Sequence, residues 1–179
     1  MPRANEPLTP DFDIAARQAV ANDGVLTPDL EAHLQSGISV VIGVAGPGMA
    51  PMATVGCGCR VLPSGRLRIL LMRPGNETLL DMVARGAGIA ATFSKPVTHR
   101  SIQVKAMLAD IAEPSEEDRA LAVRQHDGLR RELVAINYPP AFAAAYCAVN
   151  EAALVAIDMT PDAAFVQTPG PNAGAELKR

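Results

Sequence analysis

The sequence predicts an α+β protein that is mainly β, with an antiparallel, barrel-like sheet and flanking helices. Two observations support this prediction. Short runs rich in Val, Ile, Leu and Ala are separated by turns that contain Gly and Pro, as expected of strands in a meander. Other stretches begin with helix-capping residues and carry apolar residues at helical spacing. The chain has 179 residues, which is enough for one core without support from disulfides or metals.

The first half of the chain predicts one helix followed by three strands. Thr27 is a typical N-cap, Pro28 suits the first helical position, and Gly37 ends the helix. The predicted strands that follow are 38–44, 51–62 and 67–72.

The second half predicts further helices and strands in alternation. Asn76 is expected to cap a crossover helix that ends at Gly86. The sequence Ser115-Glu116-Glu117-Asp118 has the form of a capping box and predicts a long helix, after which a short Ala-rich helix follows. The predicted strands are 89–93, 101–111, 153–159 and 164–167. We expect an arm at 1–26, a barrel domain at 27–167 with a helical excursion at 115–149, and a tail at 168–179.

The composition argues against several classes of partner. Aromatic residues make up 3% of the chain, Trp is absent, and the formal net charge is −3. So few rings cannot be expected to build an exposed aromatic platform, and the basic excess of nucleic-acid binders is missing. No apolar run approaches the roughly 20 residues that span a bilayer. We therefore expect no nucleic-acid partner and no membrane partner. Three sparse cysteines and a start without signal-like character predict a cytoplasmic location.

The sequence does not predict a metal site or a catalytic nucleophile. In an extended strand, Cys57-Gly58-Cys59 would place two thiols on one face, which is half of a metal site. No second Cys or His pair follows at zinc-like spacing, so we predict packed cysteines and no metal. No Ser, His and Asp pattern identifies a catalytic residue.

Two polar clusters are candidates for holding an anion. Arg73, the amides at the start of the helix after Asn76, and the Thr78 hydroxyl meet at a chain reversal, as in anion sites. Glu77 places a carboxylate at the same point, so a solvated helix cap explains this stretch equally well. The second cluster lies at a hairpin and could also be a solvated tip; it consists of Lys95, His99, Arg100, Ser101 and Gln103.

Taken in order, these elements resemble the FMN-binding split β-barrel of the pyridoxamine 5′-phosphate oxidase-like superfamily, over about 28–167. The most similar stretches are Phe93-Ser94-Lys95-Pro96, residues 99–105 and the closing residues 165–171. The resemblance implies a six-stranded antiparallel split barrel and a homodimer with FMN at its interface. It also implies an oxidoreductase that acts on a small molecule. The chain resembles a relative of the vitamin B6 oxidase, since the Trp that this enzyme uses on its substrate is absent.

The resemblance also implies where FMN would bind. The family's flavin-lining strand falls on the second predicted strand, its phosphate clamp on the end of the third, and its Arg-Gln pair on a later strand. Part of the clamp is missing, because Thr54 and Cys59 stand near the family's basic positions. Gly56 and Gly58 are expected to let a flat ring lie close to the strand. The implied cofactor-binding residues are Thr54, Val55, Gly56, Leu71, Met72, Arg73, Asn76, Thr78, Arg100, Ser101 and Gln103.

Two alternatives stay open on the sequence alone. The barrel could bind haem or a deazaflavin in place of FMN, with His99 as the first candidate for an axial haem ligand. It could also be a cofactor-free interaction or storage module, which Glu77 and the missing lysine of the clamp make credible.

Overall fold

A computed structural model describes residues 6–20 and 24–178; the remaining positions, which include part of the predicted arm, lie outside the described residues. Nine strands are present in the described part of the chain. They are β1 Ser39–Ala45, β2 Met52–Gly56, β3 Gly58–Val61, β4 Leu67–Met72, β5 Gly88–Ser94, β6 Ser101–Ala106, β7 Ala109–Ala112, β8 Leu154–Met159 and β9 Ala163–Val166.

The strands form two antiparallel sheets. The five-stranded sheet has the order β2-β1-β5-β6-β9, and the four-stranded sheet has the order β3-β4-β8-β7. The predicted α+β class with antiparallel strands is confirmed, but a barrel of six strands is not. Two predicted strands, 51–62 and 101–111, are each divided, and each half joins a different sheet. These two divided strands connect the sheets at their corners.

Five α-helices flank the sheets: α1 Pro10–Gln18, α2 Pro28–Leu34, α3 Glu77–Ala84, α4 Glu116–Ala135 and α5 Pro140–Tyr146. The predicted caps of α2 and α4 are confirmed by a Thr27 side chain that accepts from Leu30 N–H and by the Ser115 capping box. Asn76 occupies the predicted N-cap position of α3, but its side chain makes no capping bond, because its Nδ2 donates to the Met72 carbonyl at 2.8 Å. No described helix is long and apolar enough to cross a membrane.

The hydrophobic core lies between the two sheets. Val40, Ile42 and Val44 of β1 are buried, whereas Val41 between them faces outward, as strand alternation requires. Burying one such side chain stabilises the fold by about 1.5–3 kcal/mol. The largest fully buried side chains include Phe93, Leu34, Ile42, Leu67, Ile69, Leu71, Ile102, Ile157 and Met159.

A network of ion pairs attaches α4 to the outer face of the four-stranded sheet. Arg68 donates to Asp158 through Nε and Nη2, each at 2.7 Å, and to Asp118 through Nη1 at 2.8 Å. Arg60 lies 3.1 Å from the same Asp118. Burial alone would raise the pKa of Asp118, but hydrogen bonds from Ser115 and Arg68 outweigh it and hold the pKa below its usual value. Asp118 therefore stays ionised as an internal anchor.

Removing the Asp118 carboxylate should destabilise the protein. The Asp118→Ala variant breaks the capping box and takes a carboxylate from two guanidinium groups. We expect the free energy of unfolding to fall by about 3 kcal/mol in urea denaturation. Asp127→Ala is the matched control on the same helix, because its ion pairs with Arg130 and Arg131 lie at the surface and should contribute little. An equal loss of stability in both variants would contradict the anchoring role.

Candidate functional site

The corner between β2 and β3 holds two glycines that the sequence associates with a flavin ring. Gly58 has a φ of 145°, and a Cβ added there would lie 2.6 Å from Gln125 Oε1. Gln125 of α4 accepts from Cys59 N–H and donates to the Cys59 carbonyl, each at 2.8 Å. At Gly56 an added Cβ would lie 3.0 Å from Val40 Cγ1. The expectation of an open shelf at these glycines is wrong, because the protein's own side chains occupy the space.

The same corner separates the two cysteines. Cys59 belongs to the main core and donates from Sγ to the Leu34 carbonyl at 3.1 Å, whereas Cys57 packs in a smaller cluster with Leu70 and Ala122. The predicted common face is wrong, because the backbone at Gly58 interrupts the alternation. Burial raises the pKa of the Cys57 thiol to about 11 and raises the pKa of Cys59 as well. Among the residues that the structure describes, no group of three His, Cys, Asp or Glu side chains could hold a metal.

The predicted anion site at the end of β4 is exposed and already contains a carboxylate. Glu77 Oε1 accepts a hydrogen bond from Gly75 N–H at 3.3 Å. The Arg73 side chain is 47% exposed and lies 3.4 Å from Glu113 Oε1, and Thr78 is exposed. This geometry is that of a solvated helix start, with Arg73 as a cation that a ligand could still recruit.

Arg100 is engaged inside the protein. Its Nε and Nη2 donate to Asp13 of α1 at 2.9 and 2.6 Å, and Nη2 also donates to Asp29 next to the start of α2. Its guanidinium lies 5.2 Å from the Phe12 ring centroid. A phosphate at Arg100 would therefore have to displace two carboxylates. His99, the candidate haem ligand, is exposed beside it in the turn between β5 and β6.

His33 of α2 is buried next to this ion pair. Its pKa is lowered to about 3, first by burial and then by the positive charge of Arg100. Its Nε2 has no hydrogen-bond partner among the described residues. His33 is therefore neutral at physiological pH.

Val55, Ser101 and Gln103 share the outer face of the five-stranded sheet. Gln103 Nε2 donates to Thr92 Oγ1 at 3.1 Å, and the Ser101 hydroxyl forms a hydrogen bond with that of Ser94. Val55 lies on β2, which β1 and β5 separate from β6, so it is about 14 Å from Gln103 and farther from Ser101.

The other predicted residues of the two sheets do not reach this face. Thr54 and Gly56 alternate with Val55 along β2 and so lie on the opposite face of this strand, toward the core between the two sheets. Leu71 is fully buried in the main core, and Met72 packs on the other side of the four-stranded sheet. The predicted residues do not converge on one closed site.

One groove of about 620 Å³ lies on the outer face of the five-stranded sheet, where β1 ends and β5 begins. A Cβ added at Gly43 would meet only the Ala90 carbonyl oxygen, at 3.9 Å, so the floor consists of backbone and methyl groups. Small residues at alternate positions of β1 and β5 are the sequence signal that could have revealed this floor. The floor residues are Gly43, Ala45, Ala53, Gly88 and Ala90.

The side of the groove carries a lysine with no carboxylate partner in the described part of the chain. The Lys105 ammonium lies 4.4 Å from the Phe165 ring centroid, a cation–π contact. Asp162 also lines the groove, and its Oδ2 accepts from Met107 N–H at 2.6 Å. Met107 and the adjacent Leu108 are 68% and 70% exposed. Such adjacent exposed apolar side chains often mark a contact surface.

The chain has six aromatic residues, of which four are Phe and two are Tyr. Three of them stack on one another at and just before α5. The ring centroids of Tyr138 and Phe142 are 5.2 Å apart, and those of Phe142 and Tyr146 are 6.0 Å apart. The expectation that so few rings cannot form an exposed platform is wrong. Phe142 and Tyr146 lie four residues apart on one face of α5, and Tyr138, which precedes the helix, stacks on Phe142.

Comparisons with known proteins place the chain by its fold. It is similar to a solved F420 reductase, with a TM-score of 0.50 and 15% identity, over 81% of this chain and 98% of that one. General Stress Protein 26 from Bacillus anthracis aligns with a TM-score of 0.44 and 13% identity over 78% of this chain and 91% of that one. A pyridoxamine 5′-phosphate oxidase-related, FMN-binding protein from Nostoc punctiforme aligns with a TM-score of 0.44 and 10% identity, over 82% of this chain and 87% of that one.

No family model and no curated protein matches the sequence. The predicted resemblance is confirmed at the level of fold, and at this identity the similarity carries no activity with it.

The buried neutral state of His33 predicts acid sensitivity. Between its unfolded pKa of about 6.5 and its folded pKa of about 3, the unfolded chain binds the extra proton. The free energy of unfolding therefore decreases as the pH is lowered through this window. A pKa difference of one between the folded and unfolded states corresponds to about 1.4 kcal/mol. We expect urea denaturation at several pH values to show that the free energy of unfolding of His33→Gln decreases less on acidification than that of the wild type.

His99→Asn is the control for this experiment. His99 is exposed with a φ of 59°, a conformation that Asn tolerates, and the variant should retain the wild-type pH profile. Parallel profiles for the wild type and His33→Gln would show that His33 does not cause the acid sensitivity.

Proposed function

We propose that this protein binds FMN in the groove of the five-stranded sheet and acts as an oxidoreductase on a small molecule. The observation that supports the proposal is the groove floor of glycine and alanine residues, on the fold shared with an F420 reductase. A flavin ring system is flat and needs a surface without protruding side chains. The groove volume of about 620 Å³ lies in the range of small-molecule sites.

The residues at the groove suit the ring system and provide one cation for the phosphate. Lys105 has a free ammonium group at the groove side, held only over the Phe165 ring. Arg73, predicted from the sequence, is the alternative cation at the end of β4. A bound flavin supplies the hydride-accepting group, so the protein's task is to hold and orient it.

A second copy of the chain would complete the groove in this proposal. The groove is open toward solvent, and Val55, Met107 and Leu108 expose apolar surface on or beside the same sheet face. Contact between identical sheet faces would cover these side chains on both protomers.

A deazaflavin is the second candidate cofactor. The neighbour with a TM-score of 0.50 is an F420 reductase, and a floor of small residues accepts either tricyclic ring system. The two cofactors differ in absorbance, so separate titrations distinguish them.

Filling the groove floor should weaken cofactor binding. In Gly43→Val the new side chain projects into the groove without a clash, since the nearest atom to its Cβ is 3.9 Å away. We expect FMN affinity, measured by absorbance titration, to fall at least about tenfold with no loss of thermal stability. Ala120→Val, which introduces the same valine side chain on the exposed side of α4, should bind FMN normally. No binding of FMN or F420 by the wild type would refute the proposal. A haem Soret band lost in His99→Ala would favour haem instead.

The position of the phosphate can be tested with two neutralised cations. If Lys105 holds the phosphate, Lys105→Gln should weaken FMN binding by about 1–3 kcal/mol. The affinity for riboflavin, which lacks the phosphate, should not change. Arg73→Gln should leave both ligands unaffected. The reverse result would place the phosphate at the end of β4.

A further inference from the structure

A second recess lies at the opposite end of the five-stranded sheet, where β1 begins, and the helices α4 and α5 border it. Its volume is about 270 Å³, and the stacked rings of Tyr138, Phe142 and Tyr146 form one wall. Leu129 and Leu133 of α4 line it as well, and Ser39 lies where the recess meets β1. Ser39 is about 13 Å along β1 from Gly43, so this recess is separate from the flavin groove.

The ring wall is preorganised for a flat ligand. The Tyr138 and Phe142 ring planes differ by 20°, and those of Phe142 and Tyr146 by 16°, so the three rings are nearly parallel. Each of these residues is nearly half exposed, with relative exposures of 45%, 47% and 45% in chain order. Half-exposed rings held in a fixed stack offer faces and edges on which another aromatic ring can pack.

The recess contains no charge. All the described side chains that line it are uncharged, and its polar side-chain atoms are the hydroxyl groups of Ser39, Tyr138 and Tyr146. None of these hydroxyl groups has a hydrogen-bond partner among the residues that the structure describes. The nearby ions are paired with each other, as in Lys95 with Glu132 at 3.6 Å. A charged ligand would therefore lose its hydration without gaining a partner, whereas a neutral ligand with an oxygen substituent could bond to the hydroxyl groups.

The size of the recess limits the ligand to one or two rings. A much smaller recess of about 20 Å³ adjoins it at Tyr146 and extends to Gly56 and His126. The His126 ring nitrogens lie 3.1 Å from the Cys147 carbonyl oxygen and 3.4 Å from that of Gly56. This extension has room for no more than a water molecule or a small substituent.

We propose that this aromatic recess binds a neutral compound of one or two aromatic rings that carries a hydroxyl or carbonyl group, as phenols and quinones do. The site is independent of the flavin groove, and its occupancy does not require that FMN binds.

The chain contains its own reporter for this site. Tyr138 and Tyr146 are its only tyrosines and Trp is absent, so the intrinsic ultraviolet emission of the protein comes from the recess wall. Titration of the cofactor-free protein with 2-naphthol should change tyrosine emission in a saturable way after correction for absorbance by the probe. Calorimetry gives the affinity.

Matched variants and a matched ligand make the test specific. Phe142→Leu removes the central ring but keeps an apolar side chain, and we expect about tenfold weaker binding of 2-naphthol. Phe12→Leu makes the same change on α1 and should bind like the wild type. 2-Naphthoate has the same two rings with a carboxylate and should bind at least about tenfold more weakly than 2-naphthol.

Several results would overturn the proposal. These are the absence of saturable binding of 2-naphthol, equal affinity in a folded Phe142→Leu variant, and equal affinity for 2-naphthoate. Tyrosine emission that depends on protein concentration and does not respond to 2-naphthol would instead assign the recess to contact with a second copy of the chain.

Discussion

The passage of the chain from one sheet to the other at Gly58 is the constraint on which the rest of the structure depends. Gly58 needs a φ of 145°, and the side chain of Gln125 occupies the space where a Cβ would lie. Gln125 also donates to the Gln35 carbonyl at 3.1 Å, so one side chain joins α4 to the corner and to the end of α2. Gly37 packs against the same turn of α4, where a Cβ added at Gly128 would lie only 3.2 Å from the Gly37 Cα. The corner thus places α4 on the four-stranded sheet and leaves a large part of the five-stranded sheet uncovered.

The charges of the chain follow the same division. Arg68 and Arg100 form ion pairs with carboxylates of the same chain, and these pairs attach helices to the sheets. Charge on the uncovered face is sparse, with Lys105 beside glycine and alanine residues. These arginines therefore stabilise the fold and are not free to bind a ligand. Recognition on the uncovered face depends mainly on shape and apolar contact.

Local signals in the sequence predict the elements of this fold well, and non-local contacts explain where prediction fails. The Thr27 cap and the Ser115 capping box depend on residues three positions apart, so the sequence reveals them directly. The division of residues 51–62 into two strands depends on Gln125, which is distant in sequence. In the sequence Arg100 resembles a free cation, because its partner Asp13 is distant along the chain and contacts it only in the folded structure. The glycine-rich groove and the aromatic recess arise only when separate strands or helices are assembled.

A crystal structure of the protein with FMN tests the central claim most directly, namely that the uncovered face of the five-stranded sheet is the functional face. We predict the isoalloxazine ring on the floor formed by Gly43 and Ala90, with the phosphate near Lys105. Ring density at the end of β4 near Arg73, or in the aromatic recess of α5, would contradict the account.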